Sequence, residues 1–275
     1  MYYIILGLVQ GLTEFLPVSS SGHLVISQYL LGLTIPGVAF ETLMHLGTLL
    51  AVVVLFYKNI VDLVHSFFKS LRIIFERKKF IQTIHTNPQC KLSWFLLIST
   101  IPGAFIGYYF QATFEGLFNN PAITSMMLIF TGLCLFLTDK YLVFGNKNIS
   151  EMSLKDAILI GFAQAFAIIP GISRSGFTIM MGLNRKLDRK FSAQYSFILS
   201  VPIILGASIY KIPEISNINI PLIPLFASAV IAFLSGYWAM IAFTKMLTNF
   251  KLHLFSYYLW FIGFLVLILN STNWK

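Results

Sequence analysis

QGLTEFLPVSSSGH, residues 10–23, sets a carboxylate, three consecutive serines and a histidine inside a segment otherwise fit for lipid. Between Met1 and Tyr57 the only formally charged side chains are Glu14 and Glu41. A charge at membrane depth costs about 2.5–3.5 kcal/mol even on lenient insertion scales, so such residues are functional candidates by default. On a helix Gln10 and Glu14, four apart, share a face. Pro17-Val18-Ser19-Ser20-Ser21-Gly22 must then break that helix: proline lacks an N–H, glycine is flexible, and serines prefer caps to helix interiors. Broken backbone at membrane depth persists only where it is buried in protein or lines a wet cavity. Ser19, Ser20, Ser21 and His23 are therefore expected to line one.

A second stretch, IPGISRSG at 169–176, answers the first with the charge inverted. At a constant offset of 154, Gly7 maps to Gly161, Gln10 to Gln164, Ser19 to Ser173, Ser21 to Ser175 and Gly22 to Gly176, while Ser20 falls on Arg174. Arg174 is the only formally charged residue between Ala157 and Asn184. Interrupted apolar segments at matching places in two halves are the best sequence pointer to a membrane protein's site. The expected organisation is one integral membrane domain over 1–275, with pseudo-repeat halves of about 1–145 and 146–275.

Working outward, 57% hydrophobic residues against 11% charged define an integral membrane protein. The net charge of +9 does not indicate nucleic acid, because the basic residues collect in loops. Seven Lys and Arg fall in 58–91 and four in 185–190, with none before Lys58. Cys90 and Cys134 have no partner spacing and read as free thiols. The N-terminus lacks the basic start and small-residue cleavage site of a signal peptide.

The predicted fold is an all-α polytopic membrane protein. Six segments are long and apolar enough to span, at about 41–57, 92–110, 122–138, 194–211, 222–244 and 254–270. The stretches 2–33 and 156–183 are interrupted midway and read as two re-entrant helical hairpins. Positive-inside counting makes 58–91 a cytoplasmic loop and 111–121 external. Both flanks of 156–183 are basic, so both ends of the second hairpin are cytoplasmic, and by the same count the first opens on the outer face. Hairpins entering from opposite faces define an inverted-topology repeat whose tips meet near the midplane.

The chemistry follows from the paired motifs. Arg174, with Ser173, Ser175, Gly171 and Gly176 about it, suits an oxyanion: guanidinium supplies a fork of donors, and hydroxyls and freed backbone N–H groups supply the rest. Glu14 opposite a phosphate needs a hard divalent cation between them, Mg²⁺ or Ca²⁺. His23, with Ser20 three residues before it, offers a nucleophile or a general acid/base. His23 is slightly preferred as the essential group, with Ser20, His23 and direct attack by water all left open. Glu41 is kept as a further site candidate, with His45, four residues on, ranked after it. Asp139 reads as interfacial.

The two strings resemble the signature motifs of the bacterial undecaprenyl-pyrophosphate phosphatase family, a resemblance covering essentially the whole chain. It implies hydrolysis of the C55 isoprenyl pyrophosphate to the monophosphate carrier used in cell-wall synthesis, with a divalent cation. It further implies a multi-pass protein of the bacterial plasma membrane with its site open to the outer face. In that resemblance Glu14 is the motif glutamate and candidate metal ligand, Ser20 and His23 are the first loop's Ser and His, and Arg174 is the phosphate-binding arginine. The chain departs at Gln10, where many members carry a second glutamate. Expected partners are the polyprenyl pyrophosphate and membrane lipids, with no nucleic acid, and with a homodimer left open. A phosphatidic-acid-phosphatase type is rejected, since Met180 stands where its downstream histidine would fall. The alternative is a transporter or flippase for a phosphorylated lipid using the same inverted-repeat site.

Overall fold

In the computed structural model the chain is helical. It is described over residues 2–33, 39–142, 145–215, 221–246 and 251–272. The first broken segment is α1 (Tyr2–Glu14) and α2 (Ser20–Leu30), followed by α3 (Ala39–Leu55), α4 (Tyr57–Leu71), α5 (Arg77–Thr86), α6 (Pro88–Tyr109), α7 (Gln111–Phe118) and α8 (Pro121–Tyr141). The second broken segment is α9 (Leu154–Phe166) and α10 (Arg174–Asn184), followed by α11 (Arg189–Ile215), α12 (Leu222–Met246) and α13 (His253–Ser271).

Among the described residues, α6, α8, α11, α12 and α13 are each long and apolar enough to cross a membrane. α3 reaches the same length and apolarity only when taken together with α4, which leaves it at 87°. These helices cover the six expected spans. The expected loop 58–91 is not a loop, because α4 and α5 fill most of it: its apolar residues recur at helical spacing between the charges, a signal that a count of basic residues overlooks.

Packing follows a pattern that recurs along the chain. α1 packs on α12 as α9 packs on α6, α3 lies against α12 as α11 lies against α6, and α3–α11 and α8–α13 are themselves paired. Glycine permits close approaches at matching places. A Cβ on Gly7 would stand 2.3 Å from the Ser228 carbonyl oxygen, and one on Gly161 2.7 Å from that of Ser99. The core that encloses the two breaks includes Phe15, Val18, Leu128, Ile179, Phe197 and Met240.

Each break is capped locally. Ser19 accepts the Gly22 N–H at 3.2 Å to start α2, and Ser173 accepts the Gly176 N–H at 3.0 Å to start α10. The start of α9 is tied to the end of α10 by Asp156, which takes the Ser153 N–H in a capping box and Arg185 Nε–H at 2.6 Å. Asp139, read as interfacial, pairs with His253 across α8 and α13 at 2.5 Å. Cys90 and Cys134 are free thiols.

Candidate active site

The two breaks touch. Ser175 donates to the Leu16 carbonyl at 2.8 Å, Gly22 lies against Gly171, and Gly176 against Pro17. This contact brings Glu14, the last residue of α1, to the first residues of both following helices. Arg174 Nη2–H donates to Glu14 Oε1 at 2.5 Å, and the Ser20 hydroxyl donates to Glu14 Oε2 at 2.5 Å. Gln10, one turn earlier on α1, donates to the same Oε2 at 2.8 Å. His45 Nδ1 of α3 stands 3.2 Å from Oε2 and 2.9 Å from Gln10 Nε2. Arg174 is braced from behind by the Ser196 carbonyl of α11 at 3.2 Å.

Glu14, Gln10 and Ser20 are all buried, and water competes little for these bonds. An ion pair so enclosed is held only while each partner stays matched, because removing one leaves a bare charge. α2 and α10 begin at Ser20 and Arg174, so the first residues of two helices meet at the same carboxylate. Helix starts of this kind favour anions through their free donors and dipole. The arrangement can hold a multiply charged oxyanion and present a hydroxyl with a carboxylate next to it.

His23 stands apart from this network. Its Nδ1 lies 2.8 Å from the Ser19 carbonyl oxygen, and its Nε2 lies 2.8 Å from the Tyr258 hydroxyl of α13, with the two rings stacked 5.5 Å apart. A carbonyl only accepts, so Nδ1 carries the proton; in the neutral ring Nε2 then accepts from Tyr258. Among the described residues no hydrogen bond or ion pair joins His23 to Ser20, Glu14 or Arg174. Sequence reasoning missed Tyr258 and Ser196, which carry no signal in their apolar spans.

The other expected site residues build the breaks. Ser19 and Ser173 are caps, with Ser21 and Ser175 at 3.3 and 3.2 Å from them. Gly171 takes φ +94 and lies against the Thr124 carbonyl, where a side chain would be both strained and crowded. Glu41 is buried on α3, hydrogen-bonded by Gln28 and within electrostatic reach of His45, and so lies one residue removed from Glu14.

For a cation the donors fit in one way. Among the described residues no group of three or more His, Cys, Asp or Glu could hold a metal by itself. Gln10 turns its Nε2 to Glu14 at 2.8 Å, while its buried Oε1 has no hydrogen-bond partner among the described residues, so a turn of the amide would set that oxygen beside the carboxylate. Two hard oxygens next to an anion site suit Mg²⁺ or Ca²⁺ held jointly with phosphate oxygens.

A carboxylate, a guanidinium and a hydroxyl meet where two broken helices touch, a chemistry suited to a phosphorylated ligand. Residues 3–265 match the bacitracin resistance protein BacA family, and the chain belongs to it. It is 36% identical to the undecaprenyl-diphosphatase of Methanosphaera stadtmanae over 97% of this chain and 96% of that one. It is 38% identical to that of Methanobrevibacter smithii, over 98% and 97%, and 39% identical to that of Carboxydothermus hydrogenoformans, again over 98% and 97%. These relatives give no support to the transporter alternative.

Proposed function

We propose that the chain hydrolyses undecaprenyl pyrophosphate to undecaprenyl phosphate and inorganic phosphate, with Ser20 as nucleophile and Glu14 as its base. The observation that carries this reading is the Ser20 hydroxyl 2.5 Å from Glu14, with Arg174 on the other oxygen of the same carboxylate. A nucleophile is recognised by a base in hydrogen-bond reach, and here that base is Glu14 rather than His23. This reading takes Ser20 where the sequence slightly prefers His23. Bound pyrophosphate competes for the Arg174 fork, and each bond that Arg174 makes to phosphate releases Glu14 Oε1.

Ser20 Oγ then bonds to the terminal phosphorus while the bridging P–O bond breaks and undecaprenyl phosphate leaves. Glu14 takes the hydroxyl proton. Water next displaces the serine from phosphorus, Glu14 returns the proton to Ser20 Oγ, and inorganic phosphate departs. Arg174 and the N–H groups at the starts of α2 and α10 hold the phosphoryl oxygens throughout. A divalent cation, held by Glu14 and Gln10 with the pyrophosphate, would supply charge neutralisation. His23 and Tyr258, stacked and hydrogen-bonded, fix the first turn of α2 and with it Ser20.

The test is phosphate release by detergent-solubilised protein from substrate labelled on its terminal phosphate, followed by rapid acid and alkaline quench. An acid-stable phosphoenzyme that is lost in Ser20→Ala is expected. An acid-labile one that depends on His23 would restore His23 as nucleophile, and absence of phosphate release would sink the hydrolase reading.

The same reading places the protein in the bacterial plasma membrane, as one domain of two inverted-topology halves with the site open outward. It is supported by the basic residues on both flanks of the second hairpin, Lys147 and Lys155 before it and Arg185 and Lys186 after it. Cysteines at Lys147 and Arg185 should both be protected from an impermeant reagent in intact cells, while one at Asn119 reacts. Opposite labelling at Lys147 and Arg185 would make the second hairpin a full span.

A further inference from the structure

α4 leaves α3 through a bend of 87° at Phe56. With 17 residues α3 is about 25 Å long at 1.5 Å per residue, most of a hydrocarbon core about 30 Å thick. It packs against α11 and α12, both long enough to cross the membrane. A helix departing from it at a right angle runs along the membrane rather than through it. An upright α4 would also carry Lys58, Asp62, His65 and Lys69 into hydrocarbon, roughly one polar side chain per turn.

The surface of α4 divides into three stripes. Ile60, Leu63, Phe67 and Ser70 face the protein: Leu63 and Ser70 are buried, and Trp94 of α6 donates its indole N–H to Ser70 Oγ at 2.9 Å with its ring 5.1 Å from Phe67. The same Trp94 ring meets Phe80 of α5 edge-on at 5.4 Å, fixing both helices to α6. A second stripe, Tyr57, Val61, Val64, Phe68 and Leu71, recurs at spacings of four and three, and every member is exposed. Phe75, in the turn that follows, is 97% exposed. One position on from each member of that stripe stand Lys58, Asp62, His65, Lys69 and Arg72, all exposed, about 100° round the helix. Counting on through the turn to α5, six exposed cations, Lys58, Lys69, Arg72, Arg77, Lys78 and Lys79, face only Asp62 and Glu76.

We propose that α4 is an interfacial helix, seated in the leaflet of anionic phospholipid on the basic face of the protein. Tyr57, Val61, Val64, Phe68, Leu71 and Phe75 enter the acyl boundary, and Lys69, Arg72 and Lys78 with their neighbours engage the phosphate-bearing headgroups. An apolar stripe bordered by a basic one is what such helices present, and anionic headgroups are what complements it. α3 carries Glu41 and His45, so the anchor fixes the far end of the helix that places them.

The experiment uses the full chain with Cys90→Ala and Cys134→Ala, and single cysteines at Val61, Phe68, Phe75 or Lys69 carrying an environment-sensitive nitrobenzoxadiazole label. The protein is reconstituted in vesicles of phosphatidylcholine, alone or with a minority of phosphatidylglycerol, containing lipids brominated at different chain depths. Monodisperse elution in detergent shows that each variant is folded. Labels at Val61, Phe68 and Phe75 should be quenched at one shared shallow depth and several-fold more than the label at Lys69. Quenching at Phe75 should rise with phosphatidylglycerol, and Lys69→Gln with Arg72→Gln should remove that rise. A depth that changes steadily from Val61 to Phe75 would mean that α4 stands upright. Labels shielded from water but untouched by bromine would mean that protein, such as a second copy, covers the stripe, and equal quenching in both vesicles would remove the anionic lipid. Each of these three results overturns the proposal.

Discussion

In the first broken helix Ser19 caps α2 by accepting the Gly22 N–H and stands 3.3 Å from Ser21; 154 residues later Ser173 caps α10 by accepting the Gly176 N–H and stands 3.2 Å from Ser175. α2 and α10 are both 11 residues long, each starting one residue after its serine cap. Against this shared backbone the side chains diverge. At the same offset Ser20 becomes Arg174, Glu14 becomes Ile168, and His23 becomes Phe177. One hairpin supplies the hydroxyl and the carboxylate, and the other supplies the cation. The far ends differ too: Asp156 and Arg185 tie the second hairpin together, whereas the matching positions in the first are Tyr2 and Leu31, which cannot pair. On the function proposed above, a turn that starts a helix with a serine cap serves twice, and the chemistry needs only a few differing side chains within the two breaks.

The division of labour breaks most sharply at Arg174, the one charged contribution of the second hairpin. Arg174→Ala should lower phosphate release by about 10²–10³-fold, as loss of a donor to developing charge does elsewhere. Arg174→Lys should fare little better, because an ammonium cannot reproduce a planar fork and Glu14 would lose its matched partner. A lysine variant with more than half of the wild-type rate would show that charge alone, not the fork, is what the second hairpin provides.

On the first hairpin Glu14→Gln should lose at least about 10²-fold, the low end for a general base. It should also lose its response to chelator and added Mg²⁺. Gln10→Glu should keep activity and tighten metal binding, since it replaces the amide nitrogen that faces Glu14 by a second carboxylate oxygen. A Glu14→Gln enzyme that still responds normally to the metal would move the cation away from this hairpin.

Sequence pattern reached the spanning helices because bilayer thickness imposes length and apolarity on every one of them. It singled out Glu14, Ser20 and Arg174, which the fold brings together, because an isolated polar residue in an apolar run needs a reason. It did not reach who bonds whom. Ser20 and His23 are neighbours in sequence, and proximity suggested a pair, but the turn of α2 sends Ser20 to Glu14 and His23 to Tyr258 on α13, 235 residues away. His45 was ranked below Glu41, yet it is His45 that touches Glu14, because α3 lays one face along α1 and the residue a turn later lies nearer the break. Counting the basic residues in 58–91 as a loop hid the helical period of α4 and α5 that runs through them.

The smallest effect concerns backbone strain, where the two breaks reach the same cap by different routes. Ser19 sits at φ 67 and ψ 96, a region that side chains disfavour, whereas Ser173 sits at φ −78 and ψ 116, an ordinary extended conformation. The second hairpin makes its left-handed turn at Gly171 instead, where no Cβ resists. A non-glycine residue held in a sparse region costs on the order of 1–3 kcal/mol, while replacing a serine cap by glycine costs only a few tenths. Ser19→Gly should therefore be stabilising on balance, by about 1 kcal/mol, and Ser173→Gly slightly destabilising through the lost cap and a looser unfolded chain. Melting followed by tryptophan fluorescence in one detergent should place Ser19→Gly above wild type and Ser173→Gly below it, separated by about 2–4 °C per kcal/mol. Activity should move the other way for Ser19→Gly, because the constrained turn is what aims the Ser20 hydroxyl at Glu14. If Ser19→Gly melts lower than Ser173→Gly, the two breaks are equally relaxed, and the positioning of Ser20 has to come from the packing of His23 on Tyr258 alone.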